Sequence, residues 1–186
     1  MDFDRPILCL DFDGVLCDSA GELAMSGWGA MADLWPDMAK GSADDEFVER
    51  FRRLRPVIET GFQSILLARL IVDGVADDLI NSGFTGLCDE LMDRLGFGRD
   101  DLITSFGGFR DRWIARDLRG WLAPHRMYPG IVEALNRWVA EDRELYILST
   151  REKRFILELL DDAGAPVPED RIYGLESISK LDRLEL

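Results

Sequence analysis

The sequence predicts an α/β fold, a parallel sheet interrupted by a long helical insertion. Three observations predict it. An apolar run, Ile7-Leu8-Cys9-Leu10, leads straight into Asp11-Phe12-Asp13-Gly14. A second apolar run, Leu145-Tyr146-Ile147-Leu148, lies far down the chain between two segments of helical spacing. Between these runs, from about Ser19 to Pro124, strand signals are almost absent and helical patterns dominate.

Taken in order, Ile7–Leu10 reads as a buried strand whose carboxyl end presents two carboxylates, with Gly14 letting the backbone turn sharply. Helical patterns follow over roughly 20–35, 44–54, 57–80, 86–95 and 100–120. In the third of these, Ile58, Phe62, Ile65, Leu66 and Arg69 recur at three- and four-residue steps. Glycines at 41, 61, 83, 86, 96, 98, 107 and 108 mostly punctuate the helices, although Gly61 falls inside one. Pro129-Gly130 opens a helix that carries Ile131, Val132, Leu135, Trp138 and Val139. The strand Leu145–Leu148 comes next, ending in Ser149-Thr150-Arg151-Glu152. Phe155, Ile156, Leu159 and Leu160 then line a helix that stops at Gly164. Arg171-Ile172-Tyr173-Gly174 reads as a short third strand. This alternation is that of a parallel sheet with right-handed crossovers, whose ligands sit at the carboxyl ends of the strands. Asp11 and Ser149 are expected to meet there. The alternative is that the helical stretch forms half of a single α/β domain.

At 186 residues, 47% hydrophobic and 31% charged, the chain has the composition of an ordinary globular protein. No apolar run approaches the roughly 18 to 20 residues that span a bilayer, so no membrane association is expected. The N-terminus, Met1-Asp2-Phe3-Asp4-Arg5, is acidic where a signal peptide is basic. Three cysteines without paired spacing suit a reducing compartment, and a cytoplasmic location is expected. Cys9, within the apolar run, reads as a small core residue rather than a catalytic thiol. The net charge is −14, from 36 acidic and 22 basic residues, which disfavours nucleic acid as a partner. Lysine is scarce, at Lys40, Lys153 and Lys180.

Two carboxylates at the end of a strand are poor structural design, because Asp disfavours strands and resists burial without a partner. They suit chemistry better. One carboxylate can attack an electrophile while the other transfers a proton. If the electrophile is a phosphate ester, nucleophile and substrate are both anionic. A hard cation such as Mg²⁺, which bridges carboxylates and phosphate oxygens, then fits the site. A plain Asp-Gly turn is the simpler alternative.

Asp11-Phe12-Asp13-Gly14-Val15-Leu16, followed by Asp18-Ser19, resembles the first motif of the haloacid dehalogenase-like (HAD) superfamily in its phosphatase branch. That resemblance implies a Rossmann-like core over 1–18 and 125–186 and an inserted all-helical cap of the C1 type over 19–124, which closes over the site and chooses the substrate. It implies that Asp11 is the nucleophile that forms an aspartyl-phosphate. Asp13 is then the acid that protonates the leaving oxygen and the base that later activates water, and Asp11 and Asp13 hold Mg²⁺, Asp13 through its backbone carbonyl. An aspartate at the second position further implies phosphoryl transfer rather than C–halogen or C–P cleavage. Leu145-Tyr146-Ile147-Leu148-Ser149 resembles the second motif, with Ser149 and its neighbour Thr150, together with Gly14, holding the phosphate. Ser149-x-x-Glu152 is equally a capping box, so Ser149 can instead start a helix, and a helix start is itself an anion site. Lys180 is best placed as the third-motif lysine, with Lys153 as the fallback.

The fourth motif, a Gly-Asp pair on another strand with a further aspartate for the metal, has no match. Only Asp182 and Glu185 follow Lys180. The expectations are a fragment of a longer protein or a shortened form with weakened metal binding, and the ending at Leu186 favours the fragment. Arg52, Arg53 and Arg55, and Arg110, Arg112, Arg116 and Arg119, are candidates for holding an anionic substrate, although most such residues form surface ion pairs. His125 reads as a loop residue rather than a ligand. The expected function is Mg²⁺-dependent hydrolysis of a small phosphate monoester, a small phosphorylated metabolite being the partner. A phosphosugar mutase of the same family, and a weak or inactive HAD-like binding or regulatory domain, are the alternatives.

Overall fold

The computed structural model describes residues 7–38 and 41–175 and divides the chain into two compact units. One takes the residues up to Ser19 together with those from His125 onward; the other is Ala20–Pro124.

The first unit is α/β. Strands β1 (Leu8–Leu10), β4 (Leu145–Leu148) and β5 (Ile172–Tyr173) form a parallel sheet in the order β1-β4-β5, with Leu10 opposite Ile147 and Ile147 opposite Ile172. Helix α7 (Ile131–Ala140) precedes β4 and α8 (Lys153–Ala163) joins it to β5. Because the strand order runs one way, right-handed crossovers carry both helices to the same face. Burial agrees: Leu145, Ile147 and Ile172 are buried, whereas Tyr146, Leu148 and Tyr173 on the opposite pleat are not. Phe155, Ile156, Leu159 and Leu160 form the buried stripe of α8, each contributing about 1.5–3 kcal/mol. Gly164 ends that helix in the left-handed conformation at φ 69°. The alternation corrects the expectation for Cys9. Its register partner is Tyr146, so it faces the open pleat and is exposed, and β1 is only partly buried. Two elements were too short for any periodicity to reveal: β2 (Cys17–Asp18) and β3 (Arg126–Met127), an antiparallel pair with Asp18 opposite Arg126.

The second unit is all helical: α1 (Ala20–Leu34), α2 (Asp45–Leu54), α3 (Gln63–Val72), α4 (Asp77–Leu95), α5 (Arg99–Arg116) and α6 (Leu118–Leu122). Its core includes Phe51, Leu54, Ile65, Leu66, Ile80, Leu91 and Leu102. Helices α1 and α3 pack closely enough that a Cβ on Gly27 would lie 2.5 Å from the Ser64 carbonyl oxygen. The expected helix over 57–80 is broken twice. Pro56 sits in a 3₁₀ turn (Arg55–Val57), and Ile58 after it is extended. Downstream, Gly74 at φ 76° closes α3, with Val75 N–H donating to Leu70 O. Conversely, Gly83 and Gly86, expected to separate helices, lie within α4, which kinks at Gly83. The expected helix over 100–120 divides at Asp117, whose carboxylate accepts the Gly120 N–H at the start of α6. Among the described residues no helix is long and apolar enough to cross a membrane.

Candidate active site

Asp11 and Asp13 leave the end of β1 on either side of Phe12, which is fully buried and anchors the turn. The turn is closed by backbone bonds: Leu16 N–H and Cys17 N–H both donate to Phe12 O, and Gly14 N–H donates to Cys17 O at 2.8 Å. Gly14 adopts φ 80°, a conformation that a side chain would strain. Asp11 is exposed, its Oδ1 accepting the Phe12 N–H at 2.7 Å. Asp13 is partly buried.

Parallel pairing of β1 with β4 opens the carboxyl ends of both strands at one edge, and Ser149 follows β4 there. Its N–H donates to Tyr173 O at 3.0 Å, and its buried hydroxyl accepts the Arg151 N–H at 3.1 Å. This corrects the capping-box alternative: α8 begins only at Lys153, and Glu152 makes no side-chain cap but takes the Arg154 Nε–H. The chain needs two further residues to turn from strand to helix, so the serine closes a local turn instead. Thr150 is exposed. Lys153 pairs with Glu169 at 3.4 Å, and Lys180 lies outside the described residues, as do Lys40, Asp182 and Glu185.

The residue that sequence reasoning missed is Arg151. Its side chain is only 2% exposed. Nε lies 3.0 and 3.2 Å from the two Asp13 carboxylate oxygens, and Nη2 lies 2.9 Å from Oδ1. On the other edge Nη1 lies 3.3 Å from His125 Nε2. A guanidinium can only donate, so that histidine nitrogen accepts. His125 is a loop residue, as expected, yet it belongs to this cluster. The signal was present: an arginine two residues past a strand-ending serine, in a chain of strongly negative charge.

Most of the clustered arginines of the helical unit form ion pairs or hydrogen bonds within it, as expected of such residues. Arg52 pairs with Glu49, Arg53 with Asp77 and Arg112 with Asp33, while Arg55 donates to Ile58 O. Arg110 is buried against Glu22, with Nε–Oε1 at 2.7 Å and Nη2–Oε2 at 2.5 Å. Ser26 and Trp121 also donate to Glu22, at 2.6 and 3.4 Å.

No group of three or more His, Cys, Asp or Glu side chains comes together among the described residues. Asp11 and Asp13 nevertheless supply the hard oxygen donors that Mg²⁺ takes, and that ion completes its shell with water and substrate phosphate rather than with a full protein cage. The donor set fits Mg²⁺ on those terms.

No family model matches the chain, and no curated protein matches it in sequence. Two solved structures do match in fold. A predicted phosphoglycolate phosphatase from Haemophilus somnus aligns over 93% of this chain at TM-score 0.52 and 15% identity. A protein from Bacteroides fragilis, provisionally assigned as a haloacid dehalogenase-like hydrolase, aligns over 97% at TM-score 0.52 and 16% identity. The chain spans 64% of the length of the first and 73% of the second. With a parallel sheet that carries Asp11 and Asp13 at the end of its first strand, the chain has the fold of the haloacid dehalogenase-like hydrolases.

Proposed function

We propose that the chain carries the site of a phosphatase that hydrolyses a small phosphate monoester through an aspartyl-phosphate on Asp11. The observation that supports this most is the pair Asp11 and Asp13, straddling buried Phe12 at the carboxyl end of β1, beside Ser149 at the end of β4. A carboxylate oxygen of Asp11 attacks phosphorus. The ester oxygen departs with its electron pair and takes a proton from the Asp13 carboxyl. Asp13, now a carboxylate, accepts a proton from water, and the resulting hydroxide displaces phosphate from Asp11. The Asp11 carboxylate and the Asp13 backbone carbonyl would hold Mg²⁺, which would offset the charge on the phosphoryl oxygens.

The test is phosphate release from a panel of small phosphate esters, with and without Mg²⁺, by the unaltered chain and by Asp11→Asn and Asp13→Asn. Expected are metal-dependent turnover, its loss to background in Asp11→Asn, and a drop of about 10²- to 10⁴-fold in Asp13→Asn. Turnover that survives Asp11→Asn overturns the reading. The bidentate ion pair that engages the Asp13 carboxylate with Arg151 favours a second reading, a binding or regulatory domain on the same fold. A folded chain that neither turns over any ester nor binds Mg²⁺ at Asp11 supports that one.

A further inference from the structure

Arg151 is a charged side chain withdrawn almost wholly from water, and a guanidinium cannot shed its charge on burial. Burying such an ion pair costs several kcal/mol in desolvation, and apolar residues of the same volume generally serve stability as well. The surroundings nevertheless fix this arginine with care. Its N–H donates to Ser149 Oγ and its carbonyl accepts the Leu175 N–H at 2.9 Å. Gly174 lets β5 close onto the same turn, since a Cβ there would lie 2.7 Å from Arg151 O and 2.4 Å from Lys153 N. The backbone is therefore clamped on both sides, and the guanidinium is aimed by a rigid base. His125 engages the Nη1 edge, while the Nε/Nη2 edge is turned to a carboxylate.

That edge is the one that takes phosphate. Carboxylate and phosphoryl oxygens present the same two-point acceptor to a guanidinium fork. We propose that Arg151 grips the phosphoryl group of the substrate and that the Asp13 carboxylate occupies its fork in the empty state. Arrival of the anion displaces Asp13 as a carboxylate, which takes a proton from solvent once it has left the guanidinium. The acid therefore forms only when there is an ester to act on. This rests on the phosphoryl-transfer reading above and gives that site a cation from the turn after β4.

The test is a double-mutant cycle in inorganic phosphate affinity, measured by titration calorimetry on the full chain in EDTA. The variants are Arg151→Met, Asp13→Asn and the two combined. Arg151→Met is expected to weaken phosphate binding about tenfold or more, the worth of one charge-assisted hydrogen bond. Asp13→Asn is expected to tighten it, by vacating the fork, and that gain is expected to vanish in the Arg151→Met background. An equal gain in both backgrounds means that Asp13 merely repels the anion, and the proposal falls. It falls equally if Arg151→Met binds phosphate as the unaltered chain does, or if neither the unaltered chain nor Asp13→Asn binds it. Near-ultraviolet circular dichroism checks folding, and Arg151→Lys, which keeps the charge but loses the fork, replaces Arg151→Met should that variant unfold. Its expected affinity lies clearly below that of the unaltered chain. Coupling in this titration together with no ester turnover in the Mg²⁺ assay above would sink the phosphatase reading and leave the anion grip of Arg151 standing.

Discussion

At Cys17 and Cys88 burial lifts the thiol from its ordinary value of 9.0 to about 12, with the carboxylates of Asp13 and Asp18, and of Asp89, adding to the rise. Arg151 pulls Cys17 the other way without cancelling the effect. Cys9, on the open pleat of β1, is exposed. A colorimetric thiol reagent at pH 8 is therefore expected to label Cys9 rapidly, and Cys17 and Cys88 only on unfolding. Linkage gives Cys88 a second signature. Between about pH 9 and 12 the unfolded thiol loses its proton while the folded one keeps it, so stability falls as pH rises through that window and is unaffected below it. Cys88→Ala is expected to flatten that alkaline decline in urea midpoints. The Glu22–Arg110 pair makes a sharper residue-scale prediction. Arg110→Met removes the buried cation facing Glu22 and is expected to cost about 3–5 kcal/mol in urea unfolding, whereas Glu22→Leu with Arg110→Met recovers most of it. Sequence reading singled out Asp11, Asp13 and Ser149 because carboxylates and a hydroxyl at strand ends have few structural uses. It missed Arg151 because an arginine's role is set by what lies across from it, here Asp13 from far along the chain.

Where an element begins and ends was legible when the stop was local. The α8 stripe with its Gly164 cap and the β4 run are written in a few adjacent residues. The break at Gly74 was not, because apolar residues keep helical spacing through Leu70, Ile71, Val72 and Val75 across it. The pattern records which residues the core needs, and a left-handed glycine can re-aim the chain without disturbing that list. Close approach between elements was equally invisible. Gly174→Ala would put a methyl group against the backbone of Arg151 and Lys153 and is expected to destabilise the chain by about 1–3 kcal/mol. Phosphate release is expected to fall with it, because the displaced turn carries Ser149 and Arg151. A thermal melt run beside the phosphate assay checks both.

The core cluster of the helical unit, including Leu23, Phe51, Ile65, Ile80, Leu91 and Phe106, is drawn from residues within Ala20–Pro124. Ala20–Pro124 expressed alone is expected to unfold cooperatively in urea, with the helical circular dichroism of α1–α6. A gradual, non-cooperative loss of signal would contradict that. The overall α/β character with a helical insertion was legible at this scale because two strand runs and a long strandless stretch suffice to state it. The antiparallel contact of β2 with β3 was not, being two residues long on each side. Yet that small ribbon has a consequence for how such a protein can change. Asp18 and Arg126 are register partners, so the chain leaves for Ala20–Pro124 and returns from it through neighbouring strands, about 5 Å apart at their Cα atoms. Everything between is topologically a cassette: it can be lengthened, exchanged for another, or replaced by a tight hairpin turn, and the backbone that presents Asp11 and Asp13 need not be rerouted.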